Sequence, residues 1–327
     1  MRSRRHVLGA FAVGLGLTAL AVQPGWAAAP DTITLDWAYY NPVSLVLKQQ
    51  GWLEDELKPD GIAVRWVQSA GSNKALEFLN AGSLDFGSTA GAAALLAKIN
   101  GNPIRTIWVY SKPEWTALVT RPDTGIGRVE DLKGKRVAVT KGTDPYIFLL
   151  RALESHGLAA GDVELVLLQH DQGRMALERG DVDAWAGLDP MMADVEVSRG
   201  FPLFYRNADA NTYGVLNVRE TFAAENPELV ERVLKVYERG RQWALANPGE
   251  LAKILAAAAK LPDPVAAKQL ERTQFVEPMP GEPERETITA AGKALQAGGV
   301  IKADVDIVAT VDGLLEPGFA KSVVAAP

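Results

Sequence analysis

The sequence predicts an α/β protein built as two βαβ lobes, joined by two crossing strands, with a ligand cleft between them. Two observations predict it. The first is an internal echo: Gly82-Ser83-Leu84-Asp85-Phe86-Gly87 has a counterpart in Gly180-Asp181-Val182-Asp183-Ala184-Trp185. Each follows an amphipathic stretch, Lys74 to Ala81 and Arg174 to Arg179, and reads as helix, tight Gly turn, short strand. The second is length. The ~300 residues that follow an export segment suit two compact lobes better than one core.

Residues 1–29 read as a cleavable secretion signal. Arg2, Arg4 and Arg5 give a basic start, and no acidic residue precedes Asp31. The apolar run from Val7 to Val22 contains Gly9, Gly14 and Gly16 and is shorter than the ~20 residues a spanning helix needs. Ala27, Ala28 and Ala29 then offer a cleavage site. The pair Arg4-Arg5 also resembles the twin-arginine export pattern.

The elements follow in order. Thr32 to Ala38 alternates like a strand, and Asn41-Pro42 is a good cap and first-turn pair for a helix ending at Gly51. A strand from Ala63 to Gln68 follows the turn at Pro59-Asp60-Gly61. Ser72 precedes a helix from Asn73 to Ala81, and Ser88-Thr89 precede one from Ala90 to Ile99. The second half repeats the plan. Arg136 to Thr140 is strand-like, Asp144-Pro145 opens a helix that Gly157 ends, and Gly161-Asp162 leads into the strand Val163 to Leu168.

Thr116 to Thr120 and Tyr213 to Val218 are extended and apolar, and are read as the two crossing strands of a hinge. The lobes are therefore placed at 30–118, 119–214 and a return to the first lobe over 215–327. That return is mostly helical, with breaks at Pro227, Pro248, Pro262 and Gly281, and is expected to pack on the first lobe. Parallel sheets of this kind bind ligands beyond the carboxyl ends of their strands.

Composition narrows the function. The chain has no Cys, which excludes disulfides, zinc–thiolate sites, iron–sulfur clusters, thiol nucleophiles and a lipid-bearing Cys anchor. Outside the signal, His156 and His170 have no ligand-like spacing and are read as ordinary surface or loop histidines. Without the three signal arginines, 31 basic residues face 40 acidic ones, a net charge of −9. That argues against nucleic acid and anionic membranes as partners. No metal and no cofactor is expected.

Four ordered stretches carry a family resemblance. They are Tyr39 to Lys48, Gly82 to Thr89, Asp131 to Val139 with Lys141-Gly142-Thr143, and Gly180 to Trp185 with Asp189-Pro190. Together they span about residues 32–220, and in that order the chain resembles the substrate-binding proteins of ABC importers for aliphatic sulfonates, within the sulfonate, taurine and nitrate group. The resemblance implies a periplasmic binding protein fold of type II, a periplasmic monomer, a small organic anion of the alkanesulfonate class as ligand, and an inner-membrane ABC permease as partner. It implies no enzymatic activity.

A sulfonate offers acceptor oxygens and no proton, so it needs donors. Helix starts supply them through free N–H groups and the positive end of the dipole. Asn41, Ser72, Ser88, Thr89, Gly142 and Thr143 stand at such starts and are the expected anion contacts; the same residue types also serve as plain helix caps. Tyr40, Trp115, Trp185 and Tyr213 are expected to wall the organic part, with core packing the competing role for Trp185. Glu114 is read as a solvated loop glutamate, the alternative being a partner for a ligand ammonium. Asp189 is read as the cap of a helix at Pro190. The competing functions are binding of taurine, nitrate or a pyrimidine, a sensing subunit, and a thiamine-pyrimidine biosynthetic enzyme.

Overall fold

A computed structural model describes residues 30–324; the signal and cleavage-site readings lie outside the described residues. Among the described residues, eleven strands form two sheets. They are β1 (Thr32–Trp37), β2 (Ala63–Gln68), β3 (Phe86–Ala90), β4 (Ile104–Pro113), β5 (Leu118–Thr120), β6 (Arg136–Val139), β7 (Glu164–Leu167), β8 (Ala184–Ala186), β9 (Leu203–Tyr205), β10 (Gly214–Arg219) and β11 (Thr273–Gln274). The first sheet runs β11-β4-β10-β3-β1-β2 and the second β7-β6-β8-β5-β9.

Each sheet is built on the same three parallel strands. β1 lies between β2 and β3, and β6 lies between β7 and β8. The next strand in each is antiparallel and arrives from the other lobe: β10 beside β3, β5 beside β8. The predicted crossing strands are thus members of the sheets. The crossing itself is made by the short stretches 114–117 and 206–213. An alternating apolar pattern marks a strand but not the sheet it joins. The two stretches are tied by Asn211, whose Oδ1 accepts from Thr116 N at 2.9 Å and whose Nδ2 donates to Thr116 O at 3.4 Å.

The echo has a local cause. Asp85 Oδ2 accepts from Thr34 N at 2.8 Å, and Asp183 Oδ2 accepts from Arg136 N at 2.8 Å. The backbone N–H of each aspartate returns a bond to the carbonyl of the same residue, Thr34 at 2.8 Å and Arg136 at 2.9 Å. The repeated aspartate therefore clamps the start of the central strand in each sheet. The preceding Gly82 and Gly180, at φ 69° and 83°, supply the left-handed turn out of the helix.

Helices cover the sheets as the punctuation predicts. Asn41 Oδ1 accepts from Ser44 N at 3.3 Å and starts the Pro42–Gln50 helix, and the left-handed Gly51 ends it. Pro227, Pro248, Pro262 and Gly281 all mark helix starts, of Pro227–Ala246, Pro248–Ala259, Asp263–Glu271 and Glu282–Ala297. Gly240 lets Pro227–Ala246 lie directly on Pro42–Gln50, because a Cβ there would come within 2.3 Å of Leu47. The helical return packs largely on first-lobe elements, Pro227–Ala246 and Pro248–Ala259 on Pro42–Gln50 and Glu282–Ala297 on Gly91–Ile99, and part of it also reaches the second lobe. Asp263–Glu271 packs on Met191–Arg199 and Glu282–Ala297 packs on Asp144–Ser155, both flanking the second sheet.

Candidate functional site

The carboxyl ends of β1, β2 and β6 meet at one small cavity of about 10 Å³, lined by Tyr40, Ser72, Trp115, Thr143, Asp144, Pro145 and Leu188. Four of the ten expected ligand residues are therefore brought together: Tyr40, Ser72, Trp115 and Thr143. No lining residue is basic. A larger cleft of about 220 Å³ opens between the Asp144–Ser155 and Glu282–Ala297 helices. Its walls include Leu150, Leu158, Ala294 and Val300, and its one charged residue is Glu154. It offers an anion no side-chain donor, so the small cavity is the candidate site.

Hydrogen-bond accounting shows which donors are free. Tyr40 Oη donates to Ser88 O at 3.0 Å, Trp115 Nε1 to Asp144 Oδ2 at 2.8 Å, and Thr143 Oγ1 to Thr140 O at 2.6 Å. Their protons are spent. Ser72 differs, since its Oγ accepts from Ala90 N at 3.0 Å and keeps its own proton for another partner. Ser72 opens the Ser72–Asn80 helix, and Asp144 opens Asp144–Ser155. The N–H groups of a first helical turn have no intrahelical acceptor, and the dipole makes that end positive. Two such ends, one from each sheet, face the cavity.

Asp144 is a carboxylate in this lining, and it is turned onto the crossing stretches. Its Oδ2 accepts from Trp115 Nε1 and from Thr212 N at 3.0 Å, and its Oδ1 accepts from Thr212 Oγ1 at 2.7 Å. Burial pushes its pKa up, against the bonds from Trp115 and Thr212 that favour the anion.

The other expected residues do not line the cavity. Asn41 and Ser88 are fully buried beneath it: Ser88 Oγ donates to Asp36 Oδ1 at 2.8 Å and accepts from Asn41 Nδ2 at 2.8 Å. Thr89 Oγ1 accepts from Asn217 Nδ2 at 2.8 Å, and the residue is fully buried away from the lining. Trp185 is wholly enclosed and lies over Gly173, where a Cβ would come within 2.8 Å of its Nε1, so core packing is its role. Tyr213 is half-buried, with Lys112 Nζ 4.8 Å from its ring centre. Gly142 stands at the seam between the sheets, 3.6 Å from Asn73 Cβ for an added Cβ. Among the described residues no cluster of His, Cys, Asp or Glu is arranged to hold a metal ion.

The chain was compared with known proteins. Residues 43–251 match the family described as "NMT1/THI5 like". The chain belongs to the NMT1/THI5-like family. Two bacterial relatives bear the name "Putative aliphatic sulfonates-binding protein". That of Bacillus subtilis (strain 168) is 30% identical over 233 residues, covering 70% of each chain. That of Escherichia coli (strain K12) is 29% identical over 231 residues, covering 70% of this chain and 72% of the relative. Both names are those of binding proteins, not enzymes. Among solved structures, the alkanesulfonate-binding protein SsuA from Xanthomonas axonopodis pv. citri bound to MOPS superposes with a TM-score of 0.80 at 23% identity, over 89% of this chain and 99% of that one. The NMT1/THI5-like chain thus has the periplasmic binding protein fold, as expected. Among the described residues, no helix is long and apolar enough to cross a membrane.

Two sequence readings of this NMT1/THI5-like chain need correction, and a third needs extension. His170 is not a surface residue: it is 1% exposed, at the start of His170–Arg179. Glu114 is not a solvated loop glutamate, because Arg206 holds it bidentately at 2.8 and 2.6 Å. Asp189 does cap its helix, its Oδ1 accepting from Ala193 N at 2.8 Å. It also joins a buried cross-sheet ion cluster with Arg272, 3.5 Å away, which in turn pairs with Glu196. The pattern around Asp189 carried no sign of Arg272, which lies 83 residues along the chain.

Burial raises the Asp189 pKa to about 7 despite Arg272, and raises that of Asp36 to about 6 despite its bonds to Ser88. A carboxyl raised on folding favours the folded state below its unfolded value, and that contribution is lost as pH rises through the folded one. For Asp36, the window from pH 5 to 8 corresponds to about 1 kcal/mol. Urea unfolding of the wild type and Asp36→Asn at both pH values checks this. The variant should lose about 1 kcal/mol less than the wild type between pH 5 and 8.

Proposed function

We propose that this chain is the exported solute-binding component of an ABC importer, and that it holds an aliphatic sulfonate or similar small organic anion in the cleft between its lobes. One observation carries the reading. Two helix N-termini and the free Ser72 hydroxyl converge on a single cavity from both sheets, without a basic residue. That arrangement suits an anion that needs only donors. The names of the relatives supply the ligand class, and the periplasm is the matching location.

The remaining cavity has room for about one water, so an organic anion enters only when the lobes part. Residues 30–118 with 215–327 form one moving body in this reading, and 119–214 the other. The stretches 114–117 and 206–213 act as the hinge. Closure is an equilibrium, and a ligand that touches both lobes shifts it. The protein acts as a monomer that presents its closed form to the permease. The basic and apolar residues 1–29 direct export, with Arg4-Arg5 pointing to the twin-arginine route.

A thermal-shift series with alkanesulfonates, taurine, nitrate, sulfate and pyrimidines tests the ligand class. A ligand that binds the folded state raises the midpoint by mass action. An alkanesulfonate or taurine should give the largest rise. A rise with a pyrimidine or nitrate and none with any sulfonate would sink the proposal.

A further inference from the structure

His170 packs against Gly71, the residue before Ser72 of the cavity lining, with one side of its ring unexplained. Thr140 Oγ1 donates its proton to Leu168 O at 2.8 Å, so toward His170 Nδ1, 3.1 Å away, it can only accept. The ring proton therefore sits on Nδ1, and Nε2 presents a bare lone pair. Nε2 is buried without a hydrogen-bond partner. Burial also pushes the imidazole down to about 3, so the ring is neutral at ordinary pH.

A second orphan faces it from the other lobe. Asn73 Oδ1, next to Ser72, is also buried and without a partner. The two atoms lie together beside Gly71, since a Cβ added there would come within 2.9 Å of His170 Nε2 and 2.8 Å of Asn73 Oδ1. Both are acceptors, so neither satisfies the other. Buried acceptors without donors are costly and rare. What the pair lacks is a donor, supplied at a point one residue from the hydroxyl that faces the anion.

We propose that His170 Nε2 and Asn73 Oδ1 form a second subsite, which accepts a hydrogen bond from the organic part of the ligand. The preferred anion then carries a hydroxyl or ammonium group as well as its acidic head. This rests on the sulfonate reading above and narrows it. Lobe closure would bring the two acceptors onto the donor at the same time as the helix ends reach the anion.

Calorimetric titration with ethanesulfonate, isethionate and taurine tests it, because the three share a two-carbon sulfonate and differ in the terminal donor. The wild type should bind isethionate or taurine at least about tenfold more tightly than ethanesulfonate. In His170→Phe and in Asn73→Ala that preference should fall to about threefold or less, with ethanesulfonate little changed. Asn73→Ala carries the test if the histidine variant does not fold, since alanine is well accommodated in a first helical turn. Equal affinity for all three ligands in the wild type would overturn the subsite. So would a preference that survives in the variants, or a uniform loss for all three, which would mark the pair as a closure contact only. Binding of none of the three would overturn the sulfonate reading, and this proposal with it.

Discussion

Replacing Asp144 by Ala is expected to lower the unfolding free energy by about 3–5 kcal/mol, whereas Asp144→Asn should cost less than about 1 kcal/mol. The difference follows from the geometry. Asp144 is 2% exposed and accepts from Trp115 Nε1, Thr212 N and Thr212 Oγ1. Alanine leaves these donors buried without an acceptor, at about 1–3 kcal/mol each for the indole and the backbone. An asparagine oxygen can take the place of Oδ2 and keep both bonds. Its amide nitrogen can then donate to the second lone pair of Thr212 Oγ1, which already accepts from Ala92 N at 3.2 Å. Asparagine also relieves the cost of burying an ionised carboxylate, and removes a negative charge from the anion's surroundings. Asp144→Asn should therefore bind a sulfonate more tightly than the wild type at pH 8. Urea unfolding and calorimetry check the two halves. A loss of stability in the asparagine variant equal to that in the alanine variant would show that the charge itself holds the crossing stretches.

Ser72→Ala is the second large effect expected, and it falls on binding. The serine hydroxyl is the side-chain donor at the cavity that no internal acceptor uses, while its oxygen is held in place by Ala90 N–H. A hydrogen bond to a charged group contributes about 1.5–3 kcal/mol, so sulfonate affinity should fall by about tenfold to a hundredfold. Stability should fall by about 1–3 kcal/mol, because Ala90 N–H loses its acceptor. Ser72→Thr keeps the hydroxyl and should recover most of the affinity. Unchanged affinity in Ser72→Ala, measured by calorimetry on the folded variant, would remove Ser72 from the site.

Much of the architecture is written locally. The paired βαβαβ pattern, the Asn41-Pro42 start, the left-handed Gly turns and the Pro breaks of the final third are set by neighbours a few residues apart. The duplicated Asp85 and Asp183 were visible as an echo, although their role as clamps on Thr34 and Arg136 needs a partner about fifty residues away. The site is different because its meaning depends on which protons are already used. Ser72, Ser88 and Thr89 look alike in sequence as residues near helix starts. Contacts with Asp36 and Asn41 commit Ser88, while Thr89, whose oxygen accepts from Asn217 as that of Ser72 accepts from Ala90, is set apart by its burial away from the cavity lining; those partners are distant along the chain. Trp185 sits in a three-residue strand, too short for alternation to say which face it takes. His170 gave no signal beyond its identity, because the atoms that define it belong to Thr140, Gly71 and Asn73.

The central claim is that one anion is held between the helix starting at Ser72 and the helix starting at Asp144. The position of the anion tests this most directly, in a crystal structure of the protein grown with ethanesulfonate. The account predicts sulfonate oxygens within hydrogen-bond distance of Ser72 Oγ and of a first-turn N–H of the Asp144–Ser155 helix, at about 2.7–3.2 Å. Sulfonate density in the apolar cleft beside Leu150 and Val300, with the Ser72 cavity free of it, would contradict the account.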